Sequence, residues 1–428
     1  MIKENEYKKR RDSLSKSFLK NSIAVIFSAP EATRSNDTHH PYRQDSNFYY
    51  LSGFKEDNAA LMFIKTKESV KTLLFVQKKD KTLELWNGKR LGTKEAKKRF
   101  LVDEVYEIDE FKEIFKASIE DKKNIYFEIN SKKRAVKKIL KSTKLFKEKL
   151  DIIPLIQKMR LVKSAAEIKL IKKSIAITAK AHHRVMSMNK EGKYEYHLQA
   201  EIEHEFKNNA AYSDAYTSIV ACGNSANTLH YIKNNKPLVD GELILIDAGC
   251  EHNYYASDIT RTIPVNGKFS EAQKELYNLV LDTQLKVISM IKPQVLRSTL
   301  QEKAEKLLTK GMIKLAILKG SVKKAIKEKK HKKYYPHGIG HWMGIDVHDP
   351  APYRDKKNKE IALKEGMVLT IEPGLYIDKD DKSVPKKFRG IGIRIEDDIL
   401  VTKDGYENLS ASIAKSIEEV EAISAKFF

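Results

Sequence analysis

Cysteine is almost missing. Two residues, Cys222 and Cys250, stand in a chain of 428. That is too few for a disulfide framework or a thiolate metal cage. A chain that needs no staples fits a reducing compartment, and a cytoplasmic location is expected. Long apolar runs are missing too. Nowhere do about 18 apolar residues follow one another, so no membrane-spanning helix and no membrane partner are expected. The first thirty residues start with charge, but their apolar run, Ile23–Phe27, has strand length rather than that of a signal-peptide core. Glycine patterns that cradle phosphates are absent as well. No GxGxxG follows a strand and no GxxxxGK(S/T) occurs, which argues against a nucleotide site.

Acidic residues are in deficit. There are 58 Asp+Glu against 80 Lys+Arg, a net charge of +22. An excess of this size can mark a nucleic-acid binder when it gathers on one face. Here it is spread. Residues 1–150 carry 35 basic and 22 acidic residues, a net of +13, and residues 151–428 carry 45 and 36, a net of +9. Residues 201–300 alone carry 9 and 12, a net of −3. The longest basic cluster, KKAIKEKKHKK (323–333), meets no aromatic until Tyr334 and Tyr335. A solvated basic surface accounts for this pattern, and no nucleic-acid partner is expected.

What is present builds a sizeable core: 41% of the residues are hydrophobic. At roughly 100–200 residues per domain, the length suggests two or three domains. Up to about residue 155, short apolar strands alternate with helical patterns, as in an α/β domain. The strands are Ser22–Phe27, NAALMFIKT, KTLLFVQ and KNIYFEI, and Pro154 sits in the connector. ELWNGKRLGTKEAKKRF reads as a strand end, a turn at Asn87-Gly88 and a helix. From Ser164, whose spacing to Glu167 forms a capping box, long amphipathic helices mix with hairpin-linked strands. Residues 156–428 therefore read as an α+β domain. No internal repeat is evident from motif reuse.

Acids in this second domain stand where burial would be costly without a partner. Asp247 ends the apolar strand Leu243–Ile246. Asp258 opens the next strand eleven residues later, and a turn between them could bring the two carboxylates together across a hairpin. Glu372 precedes Pro-Gly in VLTIEPG and shares a strand face with Thr370. In GIGIRIEDD, Arg394 and Glu396 share one face while Ile391, Ile393 and Ile395 share the other. Each acid alone could be a turn residue, or half of an ion pair with Arg394. HGIGHWMGIDVHD (337–349) adds three histidines, three glycines and two acids in thirteen residues. His337 and His341 are four apart, but the intervening glycines make a helix improbable. An extended or turning segment is expected, in which the two need not bind the same ion. Four inward carboxylates with one imidazole carry about −4, which two divalent cations neutralise. An oxygen-rich set with one nitrogen favours octahedral ions such as Mn2+, Mg2+ or Co2+ over a closed tetrahedral zinc site. Two such ions roughly 3.5–4 Å apart would make a shared water nucleophilic near neutral pH, as in a dinuclear hydrolase.

These motifs resemble those of the pita-bread metallopeptidases, and of the aminopeptidase P (Xaa-Pro aminopeptidase) family most closely. YRQDSNFYYLSGF (42–54) is similar to a motif of that family's N-terminal domain, and MRLVKSAAEI (159–168) to the start of its catalytic domain. LIDAG…SDITRT, HGIGHWMGIDVHD, LTIEPGLYI and RGIGIRIEDDILVT are similar to its metal and substrate motifs. The resemblance implies a smaller α/β, creatinase-type N-terminal domain over 1–155, serving oligomerisation and site closure. A pita-bread catalytic domain over 156–428 would follow it. It implies two divalent ions, Mn2+ first with Co2+ or Zn2+ as alternatives, held by Asp247, Asp258, His341, Glu372 and Glu396. Glu372 would also move the proton, His230 would lie across the cleft, and His337 and His348 would face the substrate. Tyr376 and Arg394 would orient the ligands, with Tyr376 or Trp342 near the proline ring. The substrates would be peptides with proline second. In some relatives a neighbouring subunit supplies an aromatic residue; Trp86 is a candidate, in a homo-oligomer (dimer or tetramer), with ordinary packing as its other reading. Prolidase shares the ligand set and stays an alternative, as does a non-catalytic binding protein of the same fold.

Overall fold

A computed structural model describes residues 2–142 and 146–425. The chain forms two compact units, Met1–Met159 and Arg160–Phe428. Residue 155, the boundary expected from sequence, lies inside the helix Ile153–Arg160.

The first unit is built on a six-stranded mixed sheet. Its order is Glu104–Glu107, Val70–Val76, Ala60–Lys65, Ser22–Phe27, Asn124–Phe127, Glu148–Asp151. Ser22–Phe27 pairs antiparallel with Ala60–Lys65 and parallel with Asn124–Phe127, so it is buried along its whole length. Ile23, Val25 and Phe27 project to one face, as period-two alternation requires. There they share a core with Phe115, Val136 and Ile139 of the covering helices. One element differs from its sequence reading. Lys81–Asn87 is a helix, not a strand end, because the Asp80 side chain accepts hydrogen bonds from the N–H groups of Thr82 and Leu83 and starts it.

In the second unit the order helix pair, then strands, occurs twice. Ala165–Ser187 and Glu195–Asn208 precede the antiparallel sheet Ile219–Cys222, Leu243–Ala248, Ile259–Pro264. Glu271–Ile288 and Arg297–Lys314 precede the sheet Val368–Ile371, Asp397–Val401, Tyr406–Asn408, with the pair Gly374–Tyr376 and Gly392–Arg394 beside it in sequence. The halves repeat a topology without repeating a motif, so sequence inspection misses them. The capping box at Ser164 forms as spaced: Glu167 N–H donates to Ser164 Oγ, and Ser164 N–H donates to Glu167 Oε2. Leu243–Ala248 is buried on both faces, as expected for a central strand with helices packed over it. Ala181 and Val185 from the first helix pair and Leu276 and Val280 from the second share its core. Cys222 and Cys250 are both buried and unbridged.

Candidate active site

Asp247 lies in register with Ile219 on one side and Thr260 on the other, near the end of the central strand. The link to Asp258 is more than a hairpin turn. Cys250–His252 and Tyr255–Ala256 make a small sheet of their own with Ser213–Asp214 before the chain returns. The two carboxylates do come together. Tyr216 Oη lies 2.5 Å from Asp247 Oδ1 and 2.5 Å from Asp258 Oδ1. A hydroxyl has one proton to give, so Tyr216 donates to one of the two carboxylates at a time.

The second sheet delivers two glutamates to the same place. Glu372 follows Val368–Ile371, and the Thr370 hydroxyl donates to its Oε1 at 3.2 Å. Glu396 lies between Gly392–Arg394 and Asp397–Val401. Its N–H donates to the Thr260 carbonyl at 3.1 Å, and the Thr260 hydroxyl donates back to its Oε2 at 2.6 Å. These bonds join the two sheets at the site.

The histidine-rich segment is neither helix nor free loop. It runs along Val368–Ile371 as an irregular edge. Thr370 N–H donates to the His341 carbonyl and Glu372 N–H to the Ile339 carbonyl, both at 2.9 Å. A Cβ on Gly340 would fall 1.9 Å from the Thr370 carbonyl oxygen, so only glycine permits this approach. His341 is thereby aimed inward. Its Nδ1 lies 3.1 Å from the Trp342 carbonyl and its Nε2 3.2 Å from Asp258 Oδ2 and 3.7 Å from Glu372 Oε1. Trp342 itself is 1% exposed in the core, so it is not a pocket wall.

The donor set fits divalent ions. Asp247, Asp258 and Glu396 each offer an atom within 4.8 Å of one another, as do His341, Glu372 and Glu396. A third group, Asp258, His341 and His348, satisfies the same limit, so distance alone does not separate His348 from the ligands. An imidazole that gives one nitrogen to a backbone carbonyl and points the other at carboxylates has the usual arrangement of a metal ligand. Without metal, charge is poorly balanced. Burial above all, then neighbouring carboxylates, raises Asp247 and Glu396 and lifts Glu372 to about 7, against the pull of Arg394. Burial opposes a charge on His341, but Asp258 and Glu372 outweigh it and hold the imidazole up at about 9. These shifts mark a site short of positive charge.

A cleft of about 310 Å³ surrounds these groups, lined also by Tyr216, His230, His337 and His348. Arg394 is the one fixed cation on its wall among the described residues. Its guanidinium donates to Asp247 Oδ2 at 2.6 Å, to Thr260 Oγ1 at 3.1 Å and to Tyr376 Oη at 2.9 Å. The Tyr376 hydroxyl in turn lies 2.8 Å from His337 Nε2, while His337 Nδ1 lies 2.8 Å from the Gly338 carbonyl. Both His337 nitrogens are thus engaged. Burial, with Arg394, lowers that imidazole to about 3, so it is neutral. Sequence reasoning missed Tyr216, Thr260 and Asp398. Asp398, wholly buried, accepts from Asp258 N–H at 3.1 Å and pins the turn into that strand.

Comparison with known proteins agrees. Residues 169–403 match the metallopeptidase family M24, and residues 7–126 match the aminopeptidase P, N-terminal domain. Xaa-Pro aminopeptidase of Haemophilus influenzae is 40% identical over 98% of this chain and 97% of its own. Human Xaa-Pro aminopeptidase 3 is 37% identical over 94% of this chain and 80% of its own. Aminopeptidase P from E. coli with the inhibitor Pro-Leu superposes with a TM-score of 0.96 at 39% identity, covering 100% of this chain and 99% of that one. The Zn-substituted E. coli enzyme in complex with product superposes equally well, also at 0.96. With its five clustered donors, its two matched domains and full-length likeness of this order, the chain belongs to metallopeptidase family M24, with an aminopeptidase P N-terminal domain ahead of an α+β pita-bread domain.

Proposed function

We propose that this chain is a metallo-aminopeptidase that releases the N-terminal residue from peptides whose second residue is proline. The reading rests on one observation above all: three buried carboxylates, a fourth that is part-buried and one imidazole, from separate segments, converge on a single cleft. Identity of 40% along the whole length of Xaa-Pro aminopeptidases supports it.

Asp247, Asp258, His341, Glu372 and Glu396 would hold two divalent ions, with Mn2+ favoured by the oxygen-rich set over Co2+ or Zn2+. Bound there, the ions supply Lewis acidity, neutralising the carboxylates, polarising the scissile carbonyl and acidifying the attacking water. Glu372 moves the proton. It accepts one from the water and passes it to the proline nitrogen, which as a tertiary amide carries no hydrogen of its own and must gain one to leave. Arg394 and Tyr376 orient Asp247 and His337. His348 and His230 face the substrate. Among the described residues no group hydrogen-bonds the ring of His348 or of His230, so either can make a new hydrogen bond to developing negative charge, whereas His337 has both nitrogens engaged. Trp86, 79% exposed, is available to a neighbouring subunit's cleft in a homo-oligomer. Two buried, unbridged cysteines suit a cytoplasmic enzyme; among the described residues no helix is long and apolar enough to cross a membrane.

Asp258→Asn with elemental analysis tests the reading. The wild-type protein should carry close to two divalent ions per chain and the variant fewer, with cleavage of a proline tripeptide lost. Metal content near zero in the wild type, with activity indifferent to the substitution, would contradict it.

A further inference from the structure

A second charged cluster lies just outside the cleft, and the reaction described above does not use it. The Arg160 Nη2 atom donates to Asp346 Oδ2 at 2.6 Å and also contacts Asp349 Oδ1. Lys163 Nζ donates to Asp349 Oδ2 at 3.0 Å. Two cations and two anions balance. Arg160, Lys163 and Asp349 are at most 2% exposed at the side chain, and Asp346 is one-third exposed. A buried ion cluster adds little net stability over a well-packed apolar one, so fixing one conformation is the better-attested use for it.

What it fixes is the end of the histidine-rich segment. Asp346 and Asp349 bracket Val347 and His348, both of which line the cleft. Asp349 N–H donates to the Trp342 carbonyl at 2.8 Å and Gly344 N–H to the Asp346 carbonyl at 3.0 Å, closing a tight turn. Gly344 has no room for a side chain, since a Cβ would lie 2.7 Å from Asp349 Oδ2 and 3.0 Å from Lys163 Cε. Among the described residues no group hydrogen-bonds the His348 ring, which only meets His341 edge-on with centroids 4.2 Å apart. Its place must come through its own backbone.

We propose that Arg160 and Lys163 are positioning residues of the active site. Through Asp346 and Asp349 they clamp the chain on both sides of His348 and set where that imidazole stands. The inference rests on the reading of His348 as a substrate-facing group.

A double-mutant cycle tests it. Asp346→Asn removes the exposed arm of the clamp and leaves Asp349 paired with Lys163, so folding and metal content should match the wild type. His348→Ala should lower kcat on a proline tripeptide by about a hundredfold. Asp346→Asn should lower it by about tenfold through misplacement. The double variant should be no worse than His348→Ala alone, within about twofold. Histidine ring spectra of the chelated protein give a readout independent of turnover. The His348 resonance, identified by its loss in His348→Ala, should shift or broaden in Asp346→Asn. Losses that multiply in the double variant would overturn the proposal, as would an unmoved resonance. A wild-type protein inactive on every proline peptide would defeat the functional reading instead, and the spectra would still decide whether the clamp holds His348.

Discussion

Arg394 touches Asp247, Thr260 and Tyr376 with three different guanidinium nitrogens. A lysine keeps the charge but cannot span three partners in a plane. Arg394→Lys should therefore weaken metal binding by about 10–100-fold, measured by chelator titration, while the fold persists. Glu372→Gln keeps the shape of its side chain but cannot take up a proton. It should lower kcat by about 10²–10⁴-fold, with a smaller change in KM. The acids were legible in the sequence because a carboxylate at the end of an apolar strand is costly and hence conspicuous. Tyr216 and Thr260 were not. A tyrosine before a strand and a threonine within one are ordinary strand residues, and only the folded chain brings Tyr216 to within 2.5 Å of two carboxylates.

Among the elements, the edge segment that carries His341 depends on Gly340. Gly340→Ala would push a methyl group into the Thr370 carbonyl. Overpacking of this kind costs about 1–3 kcal/mol. The expected result is a lowered thermal midpoint together with a larger loss of activity, since the same shift moves His341. The sequence foretold a turning segment from its glycines but not that it would pair with Val368–Ile371. That pairing joins residues about thirty apart, with no periodic signal in the glycine-rich partner. Lys81–Asn87 was misread for the opposite reason. Its apolar Leu83 and Leu85 alternate suggestively, yet the Asp80 cap makes a helix and leaves Leu85 and Trp86 in solvent.

For the whole molecule, the metal-free state should be sensitive to pH in a definite direction. Glu372 rises from 4.5 to about 7 and His341 from 6.5 to about 9 in the folded, metal-free chain. At these two groups the folded chain binds more protons than the unfolded one between pH 4.5 and 9, so the stability they contribute is fully present below their unfolded values and is lost as pH rises through 7 and then 9. A divalent ion replaces those protons and removes the dependence. The gain in thermal midpoint on adding Mn2+ to chelated protein should accordingly grow from pH 5 to pH 8; a gain that shrinks with pH would contradict the placement of the ions. Two domains and an α+β second unit could be read from the order of periodic segments. The doubled architecture of that unit could not, because its halves repeat an order of elements rather than a motif. The central claim is that a metal-dependent site acts on the bond before a second-position proline. Its most direct measurement is to chelate the protein, restore it with Mn2+, Co2+ or Zn2+, and compare a tripeptide Xaa-Pro-Xaa, the dipeptide Xaa-Pro and a tripeptide with alanine second. Cleavage should vanish on chelation, return best with Mn2+, and favour the proline tripeptide. Preference for the dipeptide, or cleavage that survives chelation, would contradict the account.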